Sequence, residues 1–156
     1  MLEHKILMES SNPCLLAPIG EALRDLLYPI KWRHVFVPYL PESINDYIEA
    51  PVPFIMGILR GNPATSKECV RVDIDRGKVT LPDSIQLPSP PAPQTTLLYK
   101  ELTEIMSSND GSKQRYLMIK NAFKNYMLQI FTDVWVQLDT DTLDEEKFIE
   151  NQPDFN

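Results

Sequence analysis

The sequence predicts an α/β fold: a mainly parallel sheet flanked by helices in three layers, followed by a helix-rich C-terminal half. Two observations support this prediction. In the first half of the chain, short apolar runs alternate with amphipathic stretches in the order strand, helix, strand, helix, strand, which is typical of a parallel sheet covered by helices. In the second half, a long stretch repeats its apolar residues at helical spacing.

The composition is that of a folded chain of ordinary domain size. The chain has 156 residues, of which 43% are hydrophobic and 24% charged, and this balance excludes wholesale disorder and collagen. The formal net charge of −7 argues against nucleic acid as a partner, because such partners require a basic surface. No run approaches the roughly 20 apolar residues of a membrane span, so membrane association is expected to be peripheral only.

The first half contains the predicted sheet. The first helix has an apolar side between Leu15 and Leu27, and Pro18 either delays its start to about Ala17 or bends it. A second helix is predicted after Pro41. The predicted strands are residues 5–8, 35–37, 54–59 and 70–74, with 79–81 pairing back as a hairpin.

The second half begins with Pro82 to Pro93, which holds five of the 14 prolines and is predicted to be an extended surface connection. A helix is predicted from Leu97 to Met106, and a polar, flexible break from Ser107 to Ser112. Residues Ile119 to Leu138 keep helical spacing over about five turns, so a long amphipathic helix with a core-facing stripe is expected. A short helix over 144–150 fits the acidic end.

Motifs of common enzymes are missing from the sequence, so no catalytic residue, metal or cofactor is predicted. There is no GxGxxG, GxxxxGK[ST], GxSxG or HExxH pattern. His4 and His34 are the only histidines, and no metal-ligand spacing includes them. The two cysteines, Cys14 and Cys69, predict a cytoplasmic protein with reduced thiols, and both are expected in the core.

The most suggestive charged residues are Asp73, Asp75 and Arg76. The two carboxylates lie two positions apart on a predicted strand and therefore face the same side. They could form a hairpin turn, with Asp75 as the cap and Gly77 at positive φ, or contact a partner, or act as an acid/base pair or cation site. Trp32 could be an exposed interface residue or a core residue with a bonded N–H.

Three segments carry a resemblance to a known family. They are WRHVFVPYLP at 32–41, APVPFIMG at 50–57 and VDIDRGKV at 72–79. In this order and spacing they resemble the central part of a DENN domain. The resemblance makes 1–82 the central DENN α/β core, 83–112 a Pro-rich and polar connection with one helix, and 113–156 the truncated start of the downstream DENN helical region.

The resemblance implies guanine-nucleotide exchange on a Rab-family small GTPase in vesicle traffic. In that family an upstream longin-like lobe also contacts the GTPase. Exchange works because the factor binds the nucleotide-free GTPase more tightly than the loaded one, and it requires no nucleophile or cofactor. It implies a cytoplasmic protein that is peripheral on endomembranes. Alternatives are a GTPase-binding scaffold or effector that does not exchange nucleotide, and a small hydrolase-like enzyme. The candidate partner-binding residues are Asp73, Asp75, Arg76 and Trp32.

Overall fold

Five strands form one mixed sheet in the first part of the chain. The computed structural model describes residues 4–63, 66 and 68–138. The sheet order is β2-β3-β1-β4-β5, with β1 to β4 mutually parallel and β5 antiparallel to β4. This confirms the predicted α/β class with a mostly parallel sheet. The strands are β1 Ile6–Ser10, β2 Val35–Val37, β3 Phe54–Leu59, β4 Val70–Asp73 and β5 Lys78–Thr80.

Helix α1 spans Pro13–Leu26 and connects β1 to β2. Its N-cap is Asn12, whose side-chain oxygen accepts the Cys14 N–H at 3.0 Å. Pro13 occupies the first turn, where its missing N–H costs nothing. The helix therefore begins before Ala17 and continues through Pro18, so of the two sequence-based alternatives the delayed start is wrong.

The two faces of the sheet are covered by different elements. Adjacent residues of a strand point to opposite faces, and Met8 and Ile55 pack with Leu16 of α1 on one face. On the other face, the sheet packs against the segment that includes a 3-10 helix, Glu42–Glu49, at the place where the sequence predicts a second helix. That second apolar cluster consists of Leu7, Leu40, Ile48, Phe54, Met56, Ile58 and Cys69.

Gly57 allows the chain after β2 to cross close to β3. A Cβ atom at Gly57 would lie 2.1 Å from the carbonyl oxygen of Pro38, a separation that no side chain can tolerate. The Leu40 N–H donates to the Gly57 carbonyl at 2.7 Å and fixes the crossing. The glycine is therefore required by close backbone approach, since its φ is not in the left-handed region.

The chain divides into two compact units, residues 1–88 and 89–156. In the second unit, α2 (Ala92–Ser107) packs against α3 (Ser112–Leu138). Ile105 of α2 is buried, as are Ala122 and Met127 in the predicted apolar stripe of α3. The hydroxyls of Thr95 and Tyr126 lie 3.1 Å apart and join the two helices.

Both helices begin earlier than the sequence predicts. α2 starts at Ala92, inside the segment predicted to be extended, because Pro93 can occupy the first helical turn. α3 starts at Ser112, which reduces the predicted polar break to residues 108–111. The short helix predicted over 144–150 lies outside the described residues. Among the helices that the structure describes, none has the length and apolar character needed to cross a bilayer.

The two thiols have different environments. Cys69 is 3% exposed, as predicted for a core residue, and burial raises its pKa. Cys14 is exposed, so its predicted core position is wrong. The reason is its position two residues before the buried Leu16, about 200° around the helix from it, so the two side chains lie on opposite sides of α1.

Candidate partner-binding site

A cluster of charged side chains gathers where three parallel strands end. In the register of the sheet, Ser10 of β1 lies beside Leu59 of β3, and Glu9 lies beside Asp73 of β4. The residues that end or follow these strands therefore meet at one edge, the carboxyl edge, where ligands of open parallel sheets bind. We define the carboxyl-edge cluster as Glu9, Arg60, Arg71, Asp73, Asp75 and Arg76.

Arg60 is the centre of this cluster. Its Nε donates to Asp75 Oδ2 at 3.1 Å, and one terminal nitrogen donates to Asp73 Oδ1. The other terminal nitrogen lies 3.7 Å from Glu9 Oε1. The planar guanidinium suits this arrangement because its donors point in several fixed directions. One side chain thus connects the ends of β1, β3 and β4.

Asp75 accepts hydrogen bonds from the residues that lead from β1 into α1, in addition to the one from Arg60. The buried Ser10 hydroxyl donates to Asp75 Oδ1 at 2.7 Å, and the Ser11 N–H donates to Oδ2 at 2.8 Å. These two hydrogen bonds, with that from Arg60, stabilise the ionised carboxylate and lower the pKa of Asp75. The Ser10 hydroxyl in turn accepts the Asn12 N–H at 3.0 Å.

Asp73 shapes the turn between β4 and β5. Its Oδ1 accepts the Arg76 N–H at 3.0 Å, and Gly77 takes φ +60°. The predicted turn is therefore present, but Asp73 and not Asp75 caps it. A hydrogen bond from Arg60 lowers the pKa of Asp73. The Arg60 guanidinium contacts both Asp73 and Asp75, as expected for two acidic side chains that face the same side of the strand.

The cluster is suited to binding charged groups and poorly suited to proton transfer. Carboxylates whose pKa is lowered stay ionised at neutral pH, so Asp73 and Asp75 accept hydrogen bonds but do not act as acids there. Arg76 is the most accessible member, with 74% of its side chain exposed against 30% for Arg60. Within the described residues, no group of three or more potential ligands could hold a metal ion.

Trp32 lies apart from the carboxyl-edge cluster. It precedes β2, at the amino end of that strand, and β3 and β1 separate β2 from β4. The indole N–H donates to the Val35 carbonyl at 3.1 Å, and the ring meets His34 edge-on with centroids 5.2 Å apart. Trp32 is partly buried and packs against the apolar cluster of Met8, Leu16 and Ile55, in agreement with the core interpretation, and its role at an interface stays a prediction.

Three members of the carboxyl-edge cluster, Glu9, Arg60 and Arg71, were not identified from the sequence, and Arg60 is the central one. Its contacts with Asp73 and Asp75 span 13 and 15 residues, and that with Glu9 depends on sheet register. A signal was nevertheless present. Arg60 is the first charged residue after the apolar run of β3, a position that falls at the carboxyl edge in any parallel sheet.

Comparison with known proteins places this sheet in a family. Residues 1–77 match the family model described as the DENN (AEX-3) domain. This match covers β1 to β4 and most of the turn that Asp73 caps. Through these residues the chain belongs to the DENN domain family, which confirms the resemblance found in the sequence.

Individual relatives cover more of the chain. It is 33% identical over 113 residues to the Arabidopsis thaliana "DENN domain and WD repeat-containing protein SCD1", an alignment that covers 70% of this chain and 9% of that protein. It is 32% identical over 119 residues to "Elicitor of plant defense protein 1" of Gibberella zeae and of Fusarium odoratissimum, covering 74% of this chain. The chain spans 10% and 12% of those two proteins.

Proposed function

We propose that this chain supplies the central DENN region of a guanine-nucleotide exchange factor for a Rab-type small GTPase in membrane traffic. The observation that carries the proposal is the family match over residues 1–77. These residues contain the whole parallel part of the sheet and the carboxyl-edge cluster. The protein would act in the cytoplasm and at the surface of endomembranes, with an upstream longin-like lobe as the second GTPase contact.

Exchange requires binding energy and no covalent chemistry from the factor. A factor that binds the nucleotide-free GTPase more tightly than the loaded one lowers the barrier to nucleotide release. Such a factor needs a preformed surface with groups that recognise one state of the switch segments. Arg76 on the turn after β4 offers a charged group in an ordered place, because its backbone N–H is fixed by Asp73.

The test is release of a fluorescent guanine nucleotide from a panel of Rab GTPases. An upstream-extended form of the protein is expected to accelerate release from one member. The Arg76→Glu variant is then expected to lose about fivefold in that acceleration, the effect of an interface contact worth about 1 kcal/mol. Lys113→Glu on α3 makes the same charge change at another exposed position and serves as the matched control.

The outcomes separate exchange from the alternative function. Acceleration that Lys113→Glu retains and Arg76→Glu weakens would support the proposal and the site. Binding to a Rab without acceleration would overturn exchange and support a scaffold or effector role. Equal loss in both variants would show that the turn after β4 is not a specific contact.

A further inference from the structure

We propose that Ser89 is a phosphorylation site for a proline-directed Ser/Thr protein kinase. Ser89 is the only serine or threonine of the 156 residues that is followed directly by proline. It lies in the Pro-rich segment, which the proposed GTPase contact does not use. The inference is therefore independent of the proposed function.

The segment around Ser89 is accessible. Residues 86–90 are all exposed and belong to no helix or strand. Ser89 also marks the division between the two compact units, which meet in the chain at Pro88 and Ser89. A kinase can therefore bind this segment without unfolding either unit, as modification of a folded protein requires.

The prolines give the segment its conformation. Pro90 disfavours helical backbone at Ser89 and favours the extended region, because the proline ring would clash with the backbone N–H and Cβ of a helical preceding residue. Pro88 and Pro90 also lack the N–H groups that would pair the segment with a strand. Exposed backbone outside every helix and strand is a form that an enzyme groove can bind.

The reaction is an ordinary phosphoryl transfer. The Ser89 Oγ attacks the γ-phosphorus of ATP, the bond from that phosphorus to the β-phosphate oxygen breaks, and ADP leaves. The hydroxyl proton passes to the kinase base. The product carries about −1.5 to −2 charges at neutral pH, where the unmodified hydroxyl carried none.

Helix α2 begins three residues after Ser89, so a phosphate on Ser89 lies close in sequence to the start of this helix and is expected to affect its stability. The cap residue of α2 is Pro91, which provides no side-chain hydrogen bond, and the first turn contains no acidic residue. The first turn of α2 therefore supplies no negative charge of its own to the positive end of the helix dipole. A phosphate two residues before the cap supplies one, and we expect the first turn of α2 to become more stable.

The first experiment incubates the full 156-residue chain with ATP and a purified proline-directed kinase, followed by peptide mass spectrometry. One phosphate is expected, on Ser89, and it should be absent in Ser89→Ala. Pro90→Ala should remove most of the incorporation although the serine remains. Ser84, an exposed serine of the same region that is followed by isoleucine, provides the matched control through Ser84→Ala. Modification of Ser84 to the same extent, or no incorporation at all, would overturn the site.

The second experiment measures amide hydrogen exchange with and without the phosphate. The Thr95 amide, whose N–H donates to the Pro91 carbonyl and closes the first turn of α2, should exchange about twofold to fivefold more slowly after phosphorylation, as expected from the dipole interaction. The amides of α1 serve as the internal reference and should not change. Unchanged or faster exchange in α2 would overturn the structural effect of the modification.

Discussion

At the scale of single residues, Arg60 determines how the carboxyl edge of the sheet is organised. Its guanidinium contacts Glu9 near the end of β1 and the pair Asp73 and Asp75 around the end of β4, so with its own place after β3 it joins three separate parts of the chain. The pKa of Arg60 is raised by hydrogen bonds to Asp73 and then Asp75, so the guanidinium stays charged at any pH that the fold survives. Lysine could not replace it, because an ammonium group lacks the planar donors.

The lowered pKa values of Asp73 and Asp75 predict how stability depends on pH. Because the folded pKa lies below the unfolded value of about 3.9, the contribution of each group is fully present above that pH. It is lost as the pH falls from about 4 through the folded pKa. The free energy of unfolding, followed by urea denaturation from pH 7 to pH 3, should therefore decline in the acidic part of this range.

The Asp73→Asn/Asp75→Asn double variant provides the check. It should be less stable than the wild type at pH 7 and should lose less stability between about pH 4 and pH 3. Glu21→Gln, which removes only the exposed pair with Arg24, controls for the loss of a carboxylate. If the double variant and the wild type declined equally, the two aspartates would not be the titrating groups.

At the scale of elements, helix α3 buries its side chains mainly on one side. Met127 is 8% exposed, whereas its neighbour Leu128 is 39% exposed. The two side chains have similar size, so a comparison of alanine substitutions at the two positions measures the effect of burial on stability. Met127→Ala should lower the free energy of unfolding by about 2–5 kcal/mol.

Leu128→Ala is the matched control for that change. This substitution should lower the free energy of unfolding by less than about 1 kcal/mol, because folding buries less apolar surface at Leu128 than at Met127. Thermal or urea unfolding monitored by helical circular dichroism would measure both. A cost for Leu128 as large as that for Met127 would mean that the side of α3 that carries Leu128, about 100° around the helix from Met127, is also covered.

The first three strands were predictable because each contains a short apolar run between polar residues or prolines, and β4 because apolar and polar residues alternate along it. The turn after β4 was predictable from Asp75, Arg76 and Gly77, although the cap is Asp73. The starts of α2 and α3 were not, because proline and serine occur in turns and loops as well as at the starts of helices. Arg60 was missed because sequence motifs record neighbours along the chain, whereas its partners are joined by strand pairing.

At the scale of the whole molecule, two compact units are connected through an exposed segment. Residues 86–90 are exposed and lie outside every helix and strand, and 108–111 separate α2 from α3. Proteases cut first where backbone is accessible and free of regular structure. Brief digestion with a protease of broad specificity should therefore cut within 82–91 and 108–111 before the sheet.

Mass spectrometry of the first fragments would identify these cuts. Digestion of urea-unfolded protein is the control, since it should lose the preference and cut at apolar residues throughout. Early cleavage inside β3 or the middle of α3, with 82–91 intact, would contradict the division at Pro88.

The unequal burial of the two thiols makes the protein easy to label at one position. A maleimide dye should attach to the exposed Cys14 and leave the buried Cys69 unmodified, because Cys69 is inaccessible and its raised pKa disfavours the reactive thiolate. Cys14 lies three residues after Ser11, whose N–H binds Asp75. A fluorophore there would sit beside the carboxyl-edge cluster and report directly when another protein approaches it.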